Sequence, residues 1–242
     1  MQTNEFGQPV GDGLGDWTPP TEPPELTTLV GQYVTLEPLE RTRHAIPLFH
    51  AFKRSEPSMW TYMSQGPFQD AAELGQLISQ KERDDSVNAF AVVVNNEPLG
   101  FLTQMRIQPN NGVLEIGWVS FSTDLQRTRA TTEAQYLVLK HAFDSGYRRV
   151  EWKCDALNQP SRDAAERLGY TFEGVFKKAT HYKGRSRDTA WFATIDAEWP
   201  TLHAAFETWL SGDNFDATGA QKKSLSSLTA PVLVARDPAL EG

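Results

Sequence analysis

The stretch Leu125-Gln-Arg-Thr-Arg-Ala-Thr-Thr-Glu-Ala134 decides the reading of this chain. It follows an alternating, strand-like run, VLEIGWVSF (113–121), and leads into a helix with the apolar spacing of TTEAQYLVLKHAFDSG (131–146). A loop that opens a helix directs several backbone N–H groups, and the positive end of the helix dipole, at one spot. That arrangement suits a phosphate or pyrophosphate. Thirty residues on, NQPSRDAAERLGY (158–170) repeats the pattern: a second helix after a strand, opened by Asn158 and Ser161.

Outward from these two stretches the pattern changes period several times. Residues 1–28 are rich in Gly, Pro and acidic residues and read as an extended arm, with Trp17 as the residue that pins it to the body. QYVTLEPLE (32–40) reads as a strand and 42–54 as a helix in which Pro47 is tolerable only near the first turn. DAAELGQLISQKERDD (70–85) is an amphipathic helix with Asp70 as its N-cap. NAFAVVVN (88–95), PLGFLTQMRI (98–107) and 113–121 form a meander, turning at Asn95–Asn96 and at QPNNG (108–112). After the long helix closed by Gly146 come a strand (148–156), a helix (160–169), a hairpin across Gly184 and a terminal helix (198–210). From 212 to 242 the small polar residues read as a flexible tail, in which APVLVA (230–235) is an apolar run able to dock. The domain proper is expected over 29–211. Strand, two helices, meander, helix, strand, helix and hairpin fit an α/β (α+β) fold: one mixed, mostly antiparallel sheet with helices on both faces.

Bulk properties narrow the function. The 242 residues include 7 Trp and 13 Phe, enough for a sizeable core. The 31 acidic and 23 basic residues leave a formal charge of −8, which argues against a nucleic-acid binder and mildly favours cationic partners such as amines. Cys154 is the one cysteine, so no intrachain disulfide and no zinc cluster is expected, and a cytoplasmic setting is. The five histidines show no metal-ligand spacing. The start, MQTNEFGQPVGDG, does not read as a signal peptide, and no apolar run is long enough for a membrane span.

The order of elements and the two motifs resemble the GNAT superfamily of N-acetyltransferases over about residues 30–198, and most of all its Rim-type branch, which acetylates protein N-termini and small amines. The family's pyrophosphate loop runs Q/R-x-x-G-x-G/A. Here Gln126 fills the first position, while Arg129 and Thr131 stand where Gly and Gly or Ala are usual, followed by the Rim-like Thr132, Glu133 and Ala134. Gly would permit positive φ and close approach. Without it, either the loop is helical enough not to need it, or the approach is looser and Arg127 and Arg129 compensate with charge-assisted bonds.

The resemblance implies acetyl-CoA as co-substrate, no metal, and a coenzyme site at Gln126, Arg127, Thr128, Arg129, Ala130, Thr131 and Thr132 with Val119, Asn158 and Ser161. It implies that amides near Val119 polarise the thioester carbonyl. Asn158 would hold the pantetheine arm, and Ser161 would protonate the departing thiolate; a helix-cap pair accounts for the same two residues. A tyrosine acid, common seven residues after the Asn, is excluded because Ala165 stands there. Glu115 is the candidate base, or equally a surface residue of an alternating strand that puts Glu115, Gly117 and Val119 on one face and Leu114, Ile116 and Trp118 on the other. Trp60 and Tyr62 are candidates to line the acceptor pocket, and the basic run KKATHYKGRSR (177–187) to touch an anionic group.

The expected acceptor is a peptide N-terminus or a small-molecule amine, and the expected state a monomer or homodimer. Two other readings share the fold: a catalytically silent CoA-binding sensor, motivated by Arg129 and Ala165, and an interaction module without CoA.

Overall fold

Alternation in the strands and capping residues at the helix starts set the elements, which the computed structural model describes over residues 2–240. A small hairpin, β1 (Gln2–Thr3) and β2 (Pro9–Val10), lies in the N-terminal arm. There follow β3 (Leu29–Val30), β4 (Thr35–Pro38), α1 (Arg41–Lys53), α2 (Ala71–Glu82), β5 (Asn88–Val94), β6 (Glu97–Gln108) and β7 (Val113–Phe121). The second half runs α3 (Arg129–Asp144), β8 (Arg149–Asp155), α4 (Gln159–Arg167), β9 (Thr171–Tyr182), β10 (Arg185–Ile195), α5 (Trp199–Leu210) and α6 (Leu225–Thr229).

β3 to β10 form one eight-stranded sheet in the order β3-β4-β5-β6-β7-β8-β10-β9, antiparallel except where β7 meets β8. One face packs on α3, α4, α5 and α6 around Leu114, Ile116, Val138, Phe192 and Phe206. The other packs on α1 and α2 around Leu48, Phe52, Leu74, Ile78 and Phe101. The expected turn residues act as read. Asp70 accepts from the Glu73 amide at 2.9 Å, and Asn95 and Asn96 take the left-handed φ of +50° and +65° that a two-residue hairpin turn needs. Pro47 lies well inside α1 instead of near its first turn, an interruption that the buried neighbours Leu48, Ala51 and Phe52 hold in place.

The arm is anchored as its aromatic residue suggests: the Trp17 indole donates to Gly146 O at 3.0 Å and lies under the Arg148 guanidinium. The segment after α5 departs from the flexible tail expected over 212–242. It folds back onto α4 and α5, burying Leu225, Thr229 and Asp237. Asp237, fully buried, forms an ion pair with the buried Arg162, and Arg236 reaches Glu166 at 2.7 Å. A composition that is small and polar on average still carries these few residues with specific partners. The apolar run 230–235 docks along the start of β9, where the Val234 amide donates to Thr171 Oγ1 at 3.2 Å.

Candidate active site

The sheet opens at its one parallel pairing. β7 and β8 are in register only from Val113↔Arg149 to Ile116↔Trp152, although β7 continues to Phe121 and β8 to Asp155. On its other edge β7 pairs with β6, but Gly117 faces Thr103 and Ser120 faces Phe101, so Trp118 and Val119 together oppose Leu102. This is a β-bulge, which bends and twists its strand. Trp118 carries a φ of +50°, a region that costs a side-chain-bearing residue about 1–3 kcal/mol. Its indole stacks on Phe101 (centroids 6.5 Å apart) and lies 4.1 Å beneath the Lys81 ammonium. The inserted residue reverses the alternation expected from the sequence. Leu114 and Ile116 face the α3 side as read, but Trp118 turns to the α1–α2 side and Val119 joins the α3 side. Beyond Ile116, the edge of β7 towards β8 has no strand partner.

On the α3 side of the sheet lies a cavity of about 580 Å³, bordered by the loop 127–131, the start of α4, the end of α5 and the segment after it. Arg129 is the first residue of α3 and helical, and the left-handed φ of +61° falls on Arg127 instead. The glycine missing at Arg129 is therefore not needed, because Thr128 caps the helix there. Thr128 Oγ1 donates to Leu125 O at 2.7 Å and accepts from the Thr131 amide. The first-turn amides of α3, at Arg129 and Ala130, have no partner within the helix. Gln126 does not extend into the cavity: its side chain donates to Phe121 O at 2.8 Å and ties down the end of β7. The Ala130 and Thr132 side chains are buried behind the loop. Arg127, Arg129 and Arg167 all line the cavity, and among the described residues none has a carboxylate partner. Arg129 lies 3.5 Å from the Phe215 ring centre, and Arg167 donates to Thr132 Oγ1 at 2.9 Å beside Trp209. Three uncompensated guanidiniums beside a free helix N-terminus make a donor set that fits a polyphosphate.

At the mouth of α4, Asn158 Oδ1 accepts from the Ser161 amide at 3.3 Å, and the Asn158 amide nitrogen Nδ2 has no protein acceptor among the described residues. Ser161 Oγ accepts from the Trp152 indole at 3.0 Å and lies against Cys154, whose thiol burial pushes up to about 11. Cys154 is thus an inert, protonated packing residue.

The opposite face of the gap is charged. Glu115 is 7% exposed rather than a surface residue. The Lys153 ammonium stands 3.0 Å from Glu115 and 2.6 Å from Glu151, and 3.9 Å above the Trp191 ring, with Arg106 3.5 Å from Glu115 on its other side. The Lys153–Glu115 contact is not aligned as a hydrogen bond. Burial raises the Glu115 pKa, and Lys153 and Arg106 oppose it.

The two segments expected near an acceptor meet over the end of β8. Lys183, at the β9–β10 tip, donates to Trp60 O at 2.7 Å, and Tyr182 donates to Asp155 Oδ2 at 2.6 Å. Trp60 is largely buried, T-shaped against Phe52 and Phe68 at 5.1 and 5.0 Å, and with both of them it lines a separate cavity of about 200 Å³. Tyr62 stays half-exposed beside Tyr182.

Residues 34–171 match the family described as acetyltransferase (GNAT) domain, more than half of the chain. The chain belongs to the GNAT acetyltransferase family. A GCN5-related N-acetyltransferase from Brucella melitensis, known from its crystal structure, is 41% identical, with a TM-score of 0.86 over 90% of this chain and all of that one. The uncharacterised N-acetyltransferase p20 of Bacillus licheniformis is 28% identical over 155 residues, 60% of this chain and 84% of p20. A ribosomal L7/L12 α-N-protein acetyltransferase, RimL, shares the fold at 21% identity and a TM-score of 0.62, over 69% of this chain and 93% of its own.

The GNAT enzyme is therefore an acetyl-CoA-dependent acetyltransferase. Among the described residues no cluster of His, Cys, Asp and Glu could hold a metal ion, and no helix is long and apolar enough to cross a membrane. The fold gathers Arg127, Thr128, Arg129 and Thr131 around the cavity, sets Asn158 and Ser161 in the cap and first turn of the α4 helix that borders it, and leaves Gln126, Ala130 and Thr132 in supporting positions. Lys153, Arg167, Trp209 and Phe215 were not singled out by the sequence. Lys153 was legible only as the charged member of an alternating strand, and the last two lay in segments read as a terminal helix and a tail.

Proposed function

We propose that this GNAT enzyme acetylates a primary amine, a peptide N-terminus or a small-molecule amine, in the manner of the Rim-type branch. The observation that carries this is the gap between β7 and β8. The arginine-lined cavity lies on the α3 side of the sheet and the charged face of Glu115 and Lys153 on the other, and in this reading donor and acceptor approach from opposite faces and meet across the gap in one ternary complex.

Acetyl-CoA supplies the thioester. Arg127, Arg129 and the first turn of α3 bind its anionic end, and Asn158 Nδ2 holds the arm that passes into the gap. The unpaired edge of β7 at Trp118–Val119 presents main-chain donors that polarise the thioester carbonyl. Glu115, with its raised pKa, takes the proton that an ammonium must lose, directly or through one water. Ser161, held by the Trp152 indole, passes its hydroxyl proton to the departing sulfur and is reprotonated, through water, by the second proton that the attacking nitrogen sheds as it becomes an amide. Because Lys153 sits between Glu115 and Glu151, it holds the Glu115 carboxylate in place and limits how far burial raises its pKa.

The test is acetyl-CoA consumption against a panel of amino acids, polyamines, amine antibiotics and peptides with free N-termini. Turnover on at least one amine, with CoA release equal to acetylated product, is the expected result. CoA binding without transfer to any amine would remove the proposal.

A further inference from the structure

The end of α5 and the segment after it lie outside residues 34–171, yet they wall one side of the arginine-lined cavity through Trp209, Phe215, Gly219 and Gln221. This wall is preformed. Phe215 and Gln221 pair as an isolated β-bridge. The turn between them is closed by Asp216, whose Oδ1 accepts from the amides of Thr218 (2.8 Å) and Ala220 (3.0 Å). Asn214 clamps the base of the turn, donating to Trp209 O at 3.2 Å and Lys223 O at 3.1 Å. The Trp209 indole donates to Gln221 Oε1 at 2.7 Å and stands edge-on to Phe215. Two flat apolar rings thus border a cavity whose cations lack carboxylate partners, in a chain of net charge −8. The ligand that matches both features is a flat heterocycle carrying several phosphates. Stacking surfaces answer the ring, and guanidiniums answer the charge.

We propose that residues 209–221 form the subsite for the adenosine 3′-phosphate end of the coenzyme, with Phe215 as the stacking surface. The Arg129 guanidinium, 3.5 Å over the Phe215 ring centre and 5.5 Å from that of Tyr33, is held at this wall by both rings, so the base would stack on the part of Phe215 that Arg129 leaves uncovered. The inference rests on the reading of this cavity as the coenzyme site, and it adds that the nucleotide is recognised by a segment beyond the family domain.

Calorimetry on the full chain tests it, with CoA, adenosine 3′,5′-bisphosphate and 4′-phosphopantetheine as separate ligands. Wild-type protein should bind CoA and, more weakly, the bisphosphate alone. A stacked base is worth about 1–3 kcal/mol, so Phe215→Ala should weaken both by about fivefold or more and lower the ratio of CoA to phosphopantetheine affinity. Phe215→Leu keeps apolar packing on Trp209 while removing the flat ring, and should show the same selective loss with an unfolding midpoint near wild type. Equal losses for CoA and phosphopantetheine, or unchanged CoA affinity in both variants, would overturn the subsite while leaving the coenzyme site standing. Failure of wild-type protein to bind CoA at all would remove the coenzyme site and this inference together.

Discussion

β5 and β8 lie in one sheet and differ in what they serve. β5 is covered on both faces, by α1 and α2 on one side and by the α3 layer on the other, and Ala89 to Val93 are all buried and apolar. β8 has an apolar layer on one face only. Val150, Trp152 and Cys154 point into the α3 core, and the alternate residues Arg149, Glu151 and Lys153 carry charge on the other face. The half of the sheet around β5 is built for stability. The half around β8 keeps buried charge beside a gap, an arrangement that costs desolvation and is retained where chemistry needs it.

Truncation in the β5 half should cost most. Phe90→Ala removes a fully buried ring and should destabilise the protein by about 3–5 kcal/mol in urea titration. A cost below 1 kcal/mol would show that this half is not the stabilising one. Next comes the segment docked behind α4: Arg162→Ala leaves Asp237 buried and unpaired and should cost about 3 kcal/mol or more. It should also expose residues 211–240 to limited proteolysis; a protected segment would show that its docking does not depend on the pair.

Changes around the gap should act on rate more than on stability. Ser161→Ala should lower turnover by about a hundredfold with CoA affinity within a few-fold of wild type, as measured by steady-state kinetics and calorimetry. Unchanged turnover would remove Ser161 from the reaction. Glu115 carries a pH signature. Its folded-state pKa lies above the unfolded one, so it favours folding below the ordinary carboxylate range and opposes it increasingly as pH rises through the folded value. Glu115→Gln should therefore gain stability relative to wild type between acid and neutral pH while losing activity. A variant equally destabilised at both pH values would mean that the carboxylate is held chiefly by Lys153 as a structural pair. The smallest effect is far from the gap: Asp70→Ala removes the α2 cap and should cost about 1 kcal/mol in thermal unfolding, with kinetics unchanged.

The order of elements was legible because each boundary carries a local signal. Asn95–Asn96 marks the hairpin, Asp70 caps α2, and Gly146 and Gly169 take positive φ of +82° and +92° after α3 and α4. The site was legible where it uses helix starts, at Thr128, Arg129, Asn158 and Ser161. It was hidden where it depends on contacts distant in sequence or on an irregular strand. The one local sign of an extra residue in Glu115 to Ser120 is Gly117, a glycine inside a strand, so the reversal at Trp118 could not be read from alternation alone. The Arg162–Asp237 pair spans 75 residues, and the Trp209–Phe215 wall sits in a segment whose average composition is polar. Trp60 was placed at a pocket by resemblance alone; that Phe52 and Phe68 pack on it and share its cavity depends on contacts no local pattern shows.

The central claim is that donor and acceptor meet across the gap between β7 and β8, with Ser161 at the departing sulfur. Mass spectrometry of reactions with acetyl-CoA and the amine panel, run on wild type and Ser161→Ala in parallel, tests it most directly. The account predicts an N-acetylated product with wild type, its formation slowed about a hundredfold in the variant, and similar CoA occupancy in both. Bound CoA in both proteins with no acetylated amine from either would contradict it.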